Sequence, residues 1–293
     1  MKIAVASGKG GTGKTTVSTC LARTVRARGR DVLLVDCDVE EPNAHIFLKP
    51  QALTARTLHI PIPDVDESRC TLCGECDRIC QYSAILLMAG KLLTFPDMCH
   101  ACGGCMLACP EKAIREIGRE VGVLEQGATQ DGIAFVHGRL RVGEALSIPL
   151  IREVKKAALG LARDVTILDC PPGTSCPVIA SVRDCDFVLL VTEPTPFGLH
   201  DLGLAAEMVR ALRLPAGVVI NRAGADNGLG RRFCNAWNLP VIAEIPEDRA
   251  IAQAYSRGHL PVDVMPELQT VFESIFEYMV RAVAQSGTGV ARP

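Results

Sequence analysis

The residues with the clearest chemical purpose form one glycine-rich stretch near the N-terminus, GKGGTGKTT at residues 8–16. It satisfies the phosphate-binding pattern G-x-x-x-x-G-K-[ST], in which glycines let backbone amides meet phosphate oxygens without an intervening side chain. In that pattern Lys14 reaches the β- and γ-phosphates and the Thr15 hydroxyl holds a magnesium ion. The residues expected to bind the nucleotide are Gly8, Gly10, Gly11, Thr12, Gly13, Lys14, Thr15 and Thr16.

The flanking sequence predicts the elements that would position this loop. Residues 2–6 form a short apolar run typical of a buried strand, and residues 16–28 show helical spacing through Val17, Leu21 and Val25. A helix that starts at the loop points its N-terminal amides and partial positive charge at the same anion. The sequence therefore predicts a strand, a phosphate loop and a helix in direct succession.

A second kind of chemistry is carried by cysteine. Of 14 cysteines, eight fall into two runs of the form C-x-x-C-x-x-C-x-x-x-C, starting at Cys70 and Cys99. This is the run of bacterial ferredoxins, in which three thiolates bind one 4Fe-4S cluster and the fourth reaches the other cluster. One cluster is expected on Cys70, Cys73, Cys76 and Cys109, and the second on Cys99, Cys102, Cys105 and Cys80. The competing interpretation is zinc, although zinc modules usually separate their cysteine pairs by a dozen or more residues.

Two further apolar runs, residues 31–36 and 165–169, each end in carboxylates. The first delivers Asp36 and then Asp38, and the second delivers Asp169, which Cys-Pro-Pro-Gly-Thr follows. The carboxyl ends of parallel strands border the crevice in which ligands bind. An Asp at such a strand end is how P-loop ATPases hold the magnesium shell, so Asp169 is the expected magnesium partner.

Lys9 distinguishes this loop from a plain phosphate loop. The form K-G-G-x-G-K-[ST] resembles the deviant loop of the MinD/Mrp branch of P-loop ATPases, which includes the nitrogenase iron protein. The resemblance implies a homodimer with ATP at its interface, in which Lys9 contacts the phosphates bound by the partner subunit. The alternative for Lys9 is a solvated loop charge.

The carboxylate motifs extend the resemblance. D-x-D at residues 36–38 and D-x-P-P-G at residues 169–173 are similar to the switch I and switch II segments of that family. The resemblance implies that Asp38 orients the attacking water, while Asp36 and Asp169 support the magnesium. A solvated strand-end turn is the alternative for Asp38. The implied catalytic residues are Lys9, Lys14, Asp38 and Asp169.

Weaker signals lie further along the chain. Asn221 and Arg222 end a strand-like run, and Pro246 and Asp248 belong to a turn after the last one; both places resemble the adenine site of the family and favour ATP over GTP. Cys176 lies seven residues after Asp169, the offset at which the nitrogenase iron protein binds a cluster that bridges its dimer. A matching second cysteine is not identifiable, so a simple thiol remains the alternative.

The composition of the chain limits which binding partners and which cellular location are expected. The chain has 293 residues, 48% hydrophobic, with net charge −2 and a pI of about 6.3, which favours neither nucleic acid nor an anionic membrane as partner. The apolar N-terminal run is too short for a signal peptide, and no run reaches the ~18 apolar residues of a membrane span. A cytoplasmic location is expected. The C-terminal helix, near residues 266–284, is amphipathic but has Arg281 as its only base, which argues against membrane binding.

These features predict an α/β fold: a doubly wound, mostly parallel P-loop ATPase sheet with an inserted ferredoxin-like α+β module. The expected division is 1–60 and 118–293 for the ATPase and 61–117 for the module, with a Pro-containing linker near residue 60 and antiparallel strands returning after residue 114. The expected function is ATP hydrolysis coupled to electron transfer through two 4Fe-4S clusters toward a partner protein. The alternatives are an Mrp-like iron-sulfur cluster carrier and a MinD-like positioning ATPase with redox-sensing clusters.

Overall fold

A computed structural model describes residues 1–161, 163–224 and 228–286. The strands are β1 (Lys2–Ala6), β2 (Val32–Asp36), β3 (Gln51–Val65), β4 (Ile85–Met88), β5 (Lys91–Thr94), β6 (Ile114–Ala128), β7 (Ala134–Leu140), β8 (Val165–Asp169), β9 (Phe187–Thr192), β10 (Ala216–Ala223) and β11 (Val241–Pro246). The helices are α1 (Lys14–Ala27), α2 (Ala44–Leu48), α3 (Glu75–Ile79), α4 (Gly104–Ala108), α5 (Ile148–Gly160), α6 (Cys176–Val182), α7 (Pro196–Ala211), α8 (Gly228–Ala236), α9 (Arg249–Ser256), α10 (Pro261–Val264) and α11 (Pro266–Ser286).

The main sheet has the strand order β11-β10-β9-β1-β8-β2-β7-β6-β3. The strands from β11 to β7 are parallel, and β6 and β3 continue the sheet antiparallel. The central strands β2, β8 and β9 are buried along their whole length, as expected for apolar runs with helices on both faces. The mostly parallel, doubly wound sheet predicted from the sequence is confirmed.

Helices cover both faces of this sheet. On one face α1 and α11 pack together, and Leu21 of α1 and Phe272, Ile275 and Met279 of α11 are fully buried. On the other face α5, α6 and α7 supply the buried side chains, among them Leu150 and Leu202. The apolar stripe of the C-terminal helix is therefore part of the core.

The predicted linker near residue 60 is instead part of a strand. β3 runs through Pro61 and Pro63 and pairs antiparallel with β6 from Gln51 opposite Ala128 to Val65 opposite Ile114. Since β3 lies at the edge of the sheet, the backbone amides of alternate residues face away from β6 and make no hydrogen bond to a neighbouring strand. Two prolines, which lack an amide hydrogen, are therefore tolerated two residues apart. The boundaries placed at residues 60 and 117 thus fall inside strands, and the part that leaves the ladder is residues 66–113, here called the cysteine segment.

The cysteine segment stands on the carboxyl side of the parallel strands. β7 runs parallel to β2 and ends at Leu140, opposite Gly122 of β6. The β3–β6 ladder continues past that point as far as residue 114, so it extends beyond the carboxyl edge of the sheet. The phosphate loop follows the carboxyl end of β1 and lies at the same edge. The fold therefore places both predicted chemistries on one side of the molecule.

The segment consists of two halves whose backbone conformation repeats every 29 residues. Left-handed φ values occur at Leu72 (57°) and Ala101 (55°), and again at Gly74 (78°) and Gly103 (71°). The short helices α3 and α4 start directly after those glycines. A third left-handed pair is formed by Ser83 and Lys112. The sequence repeat of the cysteines is therefore also a structural repeat.

A buried ion-pair network ties this segment to the main sheet. Arg119 of β6 pairs with Glu144, whose side chain is fully buried in the loop before α5. The same guanidinium lies 3.3 Å from Asp97, two residues before the first cysteine of the second run, and Arg141 also lies 3.3 Å from Asp97. Glu144 further accepts a hydrogen bond from the amide of Leu146. These contacts hold the second half of the cysteine segment against the main sheet.

Replacing Glu144 by Ala is expected to lower the free energy of unfolding by about 3 kcal/mol, because Arg119 would keep a buried charge without its main partner. Urea unfolding followed by circular dichroism measures the loss. The control is Glu153→Ala, whose partner Arg56 is 58% exposed, and here the loss is expected to stay below about 1 kcal/mol. Equal losses from the two variants would contradict the proposed anchoring.

Candidate nucleotide site and cysteine pockets

The phosphate loop, residues 8–16, connects β1 to α1 and is held by tight packing. Gly13 has φ 95° and precedes α1, so the helix N-terminus faces into the loop. A Cβ at Gly13 would lie 2.3 Å from Nδ2 of Asn221, and one at Gly8 would lie 2.0 Å from the carbonyl oxygen of Asp201. Nδ2 of Asn221 donates a hydrogen bond to the carbonyl of Thr12 (2.8 Å). The two glycines that the phosphate-loop pattern fixes, Gly8 and Gly13, are thus needed because neighbouring atoms leave no room for a side chain.

The carboxylate of Asp169 is buried beside this loop without a hydrogen-bond partner for either oxygen among the described residues. Burial raises its pKa to about 7, although the nearby Thr15 hydroxyl and Lys14 ammonium act in the opposite direction. Lys14 itself is 6% exposed. Buried polar atoms without partners are rare and point to an absent ligand. Two free carboxylate oxygens beside the predicted Thr15 fit a magnesium ion, which prefers oxygen ligands.

Asp36 lies directly opposite Asp169 on the neighbouring strand but has different partners. Its carboxylate accepts hydrogen bonds from the backbone amides of Asp38 (3.0 Å), Asn43 (3.1 Å) and Ala44 (3.1 Å). Burial, followed by the charge of Asp169, raises its pKa well above the usual range. The oxygens of Asp36 therefore organise the loop of residues 37–43, here called the switch loop, and its expected support of the magnesium shell stays a prediction.

Asp38 stands in the switch loop and is only partly buried. Burial raises the pKa of its carboxyl to about 6, while Lys14 acts in the opposite direction. Asp38 therefore lies near enough to Lys14 for their charges to interact, at the edge where the phosphate loop opens.

Lys9 and Arg222 share one acidic partner that sequence reasoning did not single out. Lys9 Nζ contacts Oε1 of Glu193, and Nη1 of Arg222 lies 3.2 Å from Oε2 of the same carboxylate. The hydrogen bond from Lys9 lowers the pKa of Glu193. Its position in the sequence could have indicated Glu193 as a site residue, because it directly follows the buried strand β9, just as Asp169 stands at the end of β8.

The other residues predicted to contact adenine make contacts within the chain. Asn221 holds the phosphate loop, as described above. Asp248 caps helix α9 by accepting a hydrogen bond from the amide of Ala250 (2.6 Å), and Pro246 pairs with Ala223 at the end of β11. All of them stand at the carboxyl edge, with Pro246 at the end of β11, the strand that ends the sheet, and Asp248 in the turn that follows it.

The eight cysteines of the two runs gather into two cavities. The first pocket is lined by Cys70, Cys73, Cys76 and Cys109, and the second pocket by Cys80, Cys99, Cys102 and Cys105. Each pocket thus combines three cysteines of one run with the last cysteine of the other. Backbone amides donate to the sulfur of Cys80 from Ala84 (3.3 Å) and to that of Cys109 from Ala113 (3.2 Å), at equivalent places of the repeat.

The second pocket has an aromatic cover that the first lacks. Tyr82 and His100 both line it and stack with ring centroids 3.6 Å apart at an angle of 10°. The positions 29 residues away in the other half are Glu111 and Thr71, which line the first pocket.

Cys176 lies apart from both pockets, at the start of α6 and exposed. The remaining single cysteines are buried, namely Cys20, Cys37, Cys170, Cys185 and Cys234.

The fold and the phosphate loop define a P-loop nucleotide-binding protein. The chain belongs to the CobQ/CobB/MinD/ParA nucleotide-binding domain family, whose model matches residues 3–262. A relative in Methanocaldococcus jannaschii, an uncharacterized protein, is 31% identical over 88% of this chain and 90% of its own length. An iron-sulfur cluster carrier protein of Aquifex aeolicus is 26% identical over 96% of this chain and 67% of its own. The cell division ATPase MinD of Pyrococcus furiosus has the same fold, with a TM-score of 0.59 and 23% identity over 94% of this chain and 98% of that one.

Among the described helices, none combines the length and the apolar character that a membrane crossing requires.

Gly13→Ala is expected to reduce affinity for a magnesium-bound ATP analogue by at least about tenfold. Alanine would have to adopt the left-handed φ of Gly13, which is strained for any residue with a side chain. Its Cβ would also overlap the Asn221 amide that holds Thr12. Equilibrium titration of a fluorescent analogue measures the change. Gly29→Ala is the matched control, because Gly29 has φ 76° but open space around its Cβ position. Unchanged affinity in Gly13→Ala would contradict the packing account of the loop.

Proposed function

We propose that this protein hydrolyses ATP and couples its nucleotide state to electron transfer through two 4Fe-4S clusters toward a partner protein. The observation that carries the proposal is the gathering of the eight cysteines into two crossed sets of four, on the same side of the sheet as the phosphate loop. Family membership supports the nucleotide part. The cluster part rests on the pockets themselves.

The nucleotide half of the proposal assigns roles to the residues around the phosphate loop. Backbone amides of residues 8–16 and the N-terminus of α1 bind the phosphates, and buried Lys14 neutralises their charge. Thr15 and the unpartnered carboxylate of Asp169 hold the magnesium ion, which supplies further neutralisation of the phosphates when it is bound. Asp38 orients the attacking water. Lys9 acts on the nucleotide of the partner subunit in a homodimer with ATP at its interface.

The cysteine pockets fit four-iron clusters better than zinc. A zinc ion draws its thiolates to about 2.3 Å from one centre. Within residues 1–161, 163–224 and 228–286, no three His, Cys, Asp or Glu side chains are arranged to hold a single metal ion. A cluster takes each thiolate at a separate iron, and hydrogen bonds to the sulfurs adjust its potential. The amides of Ala84 and Ala113 already point at the sulfurs of Cys80 and Cys109. When bound, the clusters supply one-electron storage.

A continuous set of backbone contacts supports coupling between the two sites. The carboxylate of Asp36 fixes the switch loop, and within that loop the carbonyl of Val39 accepts a hydrogen bond from the amide of Leu140 (2.8 Å). Leu140 ends β7, which pairs with β6, and β6 starts at Ile114, shortly after Cys109 ends the second cysteine run. Cys99 of the second pocket also packs against the main core. Movement of the switch loop on binding or hydrolysis would therefore reach the cysteine segment through paired strands.

The second candidate function is an Mrp-like iron-sulfur cluster carrier, favoured by the relative of that name in Aquifex aeolicus. A carrier must release its cluster, whereas each pocket here is lined by cysteines from both runs, so that four thiolates would have to let the cluster go. Transfer of iron and sulfide to an apo-ferredoxin would favour the carrier. A MinD-like positioning role is disfavoured because Leu268, Ile275 and Met279 of the C-terminal helix are buried in the core rather than available to a membrane.

Anaerobically reconstituted protein is expected to hold about eight iron atoms per chain. Cys73→Ala and Cys102→Ala, which remove an exposed cysteine from the first and second pocket respectively, should each lower this to about four. Iron and sulfide analysis together with electron paramagnetic resonance measures the loss. Cys234→Ala, at a buried single cysteine, should retain all the iron. Full iron content in both pocket variants, or zinc in place of iron, would overturn the cluster proposal.

A further inference from the structure

The carboxylate of Glu193 lies between two cations of the nucleotide edge. Its Oε1 contacts Lys9 Nζ and lies 3.3 Å from the Thr195 hydroxyl, and its Oε2 lies 3.2 Å from Arg222 Nη1. The side chain of Glu193 is 11% exposed, that of Lys9 32% and that of Arg222 55%. The carboxylate is thus the fixed centre of the group, and the two cations reach it from the solvent side.

Lys9 has a single ammonium group that cannot serve two distant anions at once. In the isolated chain that group is bound to Glu193 of its own subunit. The role proposed for Lys9 requires it to reach the phosphates of a partner subunit. The contact with Glu193 must then be given up, so its strength opposes the formation of the dimer.

The geometry makes this exchange feasible. When Lys9 leaves, Glu193 keeps Arg222 on its other oxygen and the Thr195 hydroxyl beside the vacated one. A buried carboxylate left without partners would be costly, but this one is not left so. Arg222 can therefore remain as the permanent partner while Lys9 is the exchangeable one.

The surface beside this group is suited to a second copy of the chain. Phe197, at the start of α7 and four residues after Glu193, is 80% exposed, and Leu204 of the same helix is 44% exposed. Aromatic side chains are enriched in protein interfaces relative to the rest of the surface.

We infer that Glu193 is a positioning residue that holds Lys9 within its own subunit until a second, nucleotide-bound copy competes for it. Glu193 thereby sets the nucleotide concentration at which the dimer forms. The inference rests on the proposed role of Lys9 across a homodimer, but the hold on Lys9 is measurable in the monomer.

The first test is the reactivity of Lys9 in nucleotide-free protein. In Glu193→Gln the ammonium loses the carboxylate that holds it, so the lysine side chain is more accessible to a reagent in solution. Acetylation of Lys9 by N-hydroxysuccinimidyl acetate, followed by peptide mass spectrometry, is expected to be several-fold faster than in the wild type. Glu207→Gln, an equal charge change at an exposed position of α7, is the control and should leave the rate unchanged. Glu193→Asp, which restores a carboxylate, should return the rate toward that of the wild type.

The second test is dimer formation measured by sedimentation velocity in a titration with magnesium and a non-hydrolysable ATP analogue. The midpoint of this titration is the analogue concentration at which half of the chains are dimeric. For Glu193→Gln this concentration is expected to fall about fivefold, the effect of losing one partly exposed ion pair. An unchanged or higher midpoint, or unchanged acetylation of Lys9, would overturn the inference. If neither protein dimerises although the analogue binds, the homodimer of the proposed function fails, while faster acetylation in Glu193→Gln would still establish the hold on Lys9.

Discussion

Asp36 and Asp169 are buried side by side at the ends of neighbouring parallel strands, and the arrangement of the nucleotide edge depends on how their charges are balanced. Two adjacent carboxylates in a dry site repel each other unless donors or cations compensate them. Asp36 is compensated within the chain by three backbone amides, and this shapes the switch loop. Asp169 accepts no backbone hydrogen bond among the described residues, and burial raises its pKa even though Lys14 and the Thr15 hydroxyl act in the opposite direction. We propose that a bound magnesium ion completes the compensation of Asp169.

The same edge carries the cysteine segment because the sheet changes character beyond β2. Parallel strands end at one edge, but the antiparallel β3–β6 ladder passes that edge and continues outward. The Arg119–Glu144 pair then fixes the projecting part. A projecting segment anchored close to the switch loop is the geometry on which the proposed coupling of hydrolysis to a redox event depends, and this is a property of topology rather than of any single residue.

The sequence was sufficient where local pattern determines structure and insufficient where distant residues meet. The phosphate loop, the parallel strands and the family were predictable because motif and hydrophobic period are local signals. The linker predicted at Pro61 and Pro63 was wrong, since only the sheet order reveals that β3 is an edge strand. Glu193 was missed because its partner Lys9 lies 184 residues away. The backbone donors of Asp36 were equally hidden, because side-chain types alone do not show where a loop turns its amides. The cluster ligand sets remain a prediction, although the pockets group the cysteines as their spacing suggested.

The most direct measurement of the central claim is an anaerobic redox titration of the reconstituted protein by electron paramagnetic resonance, with and without magnesium and a non-hydrolysable ATP analogue. Coupling between nucleotide and clusters predicts that the analogue shifts at least one cluster potential by about 59 mV, equivalent to a tenfold change in equilibrium for one electron. With both clusters present and the analogue bound, identical potentials in the two titrations would contradict the claim that nucleotide state and cluster share one conformational equilibrium.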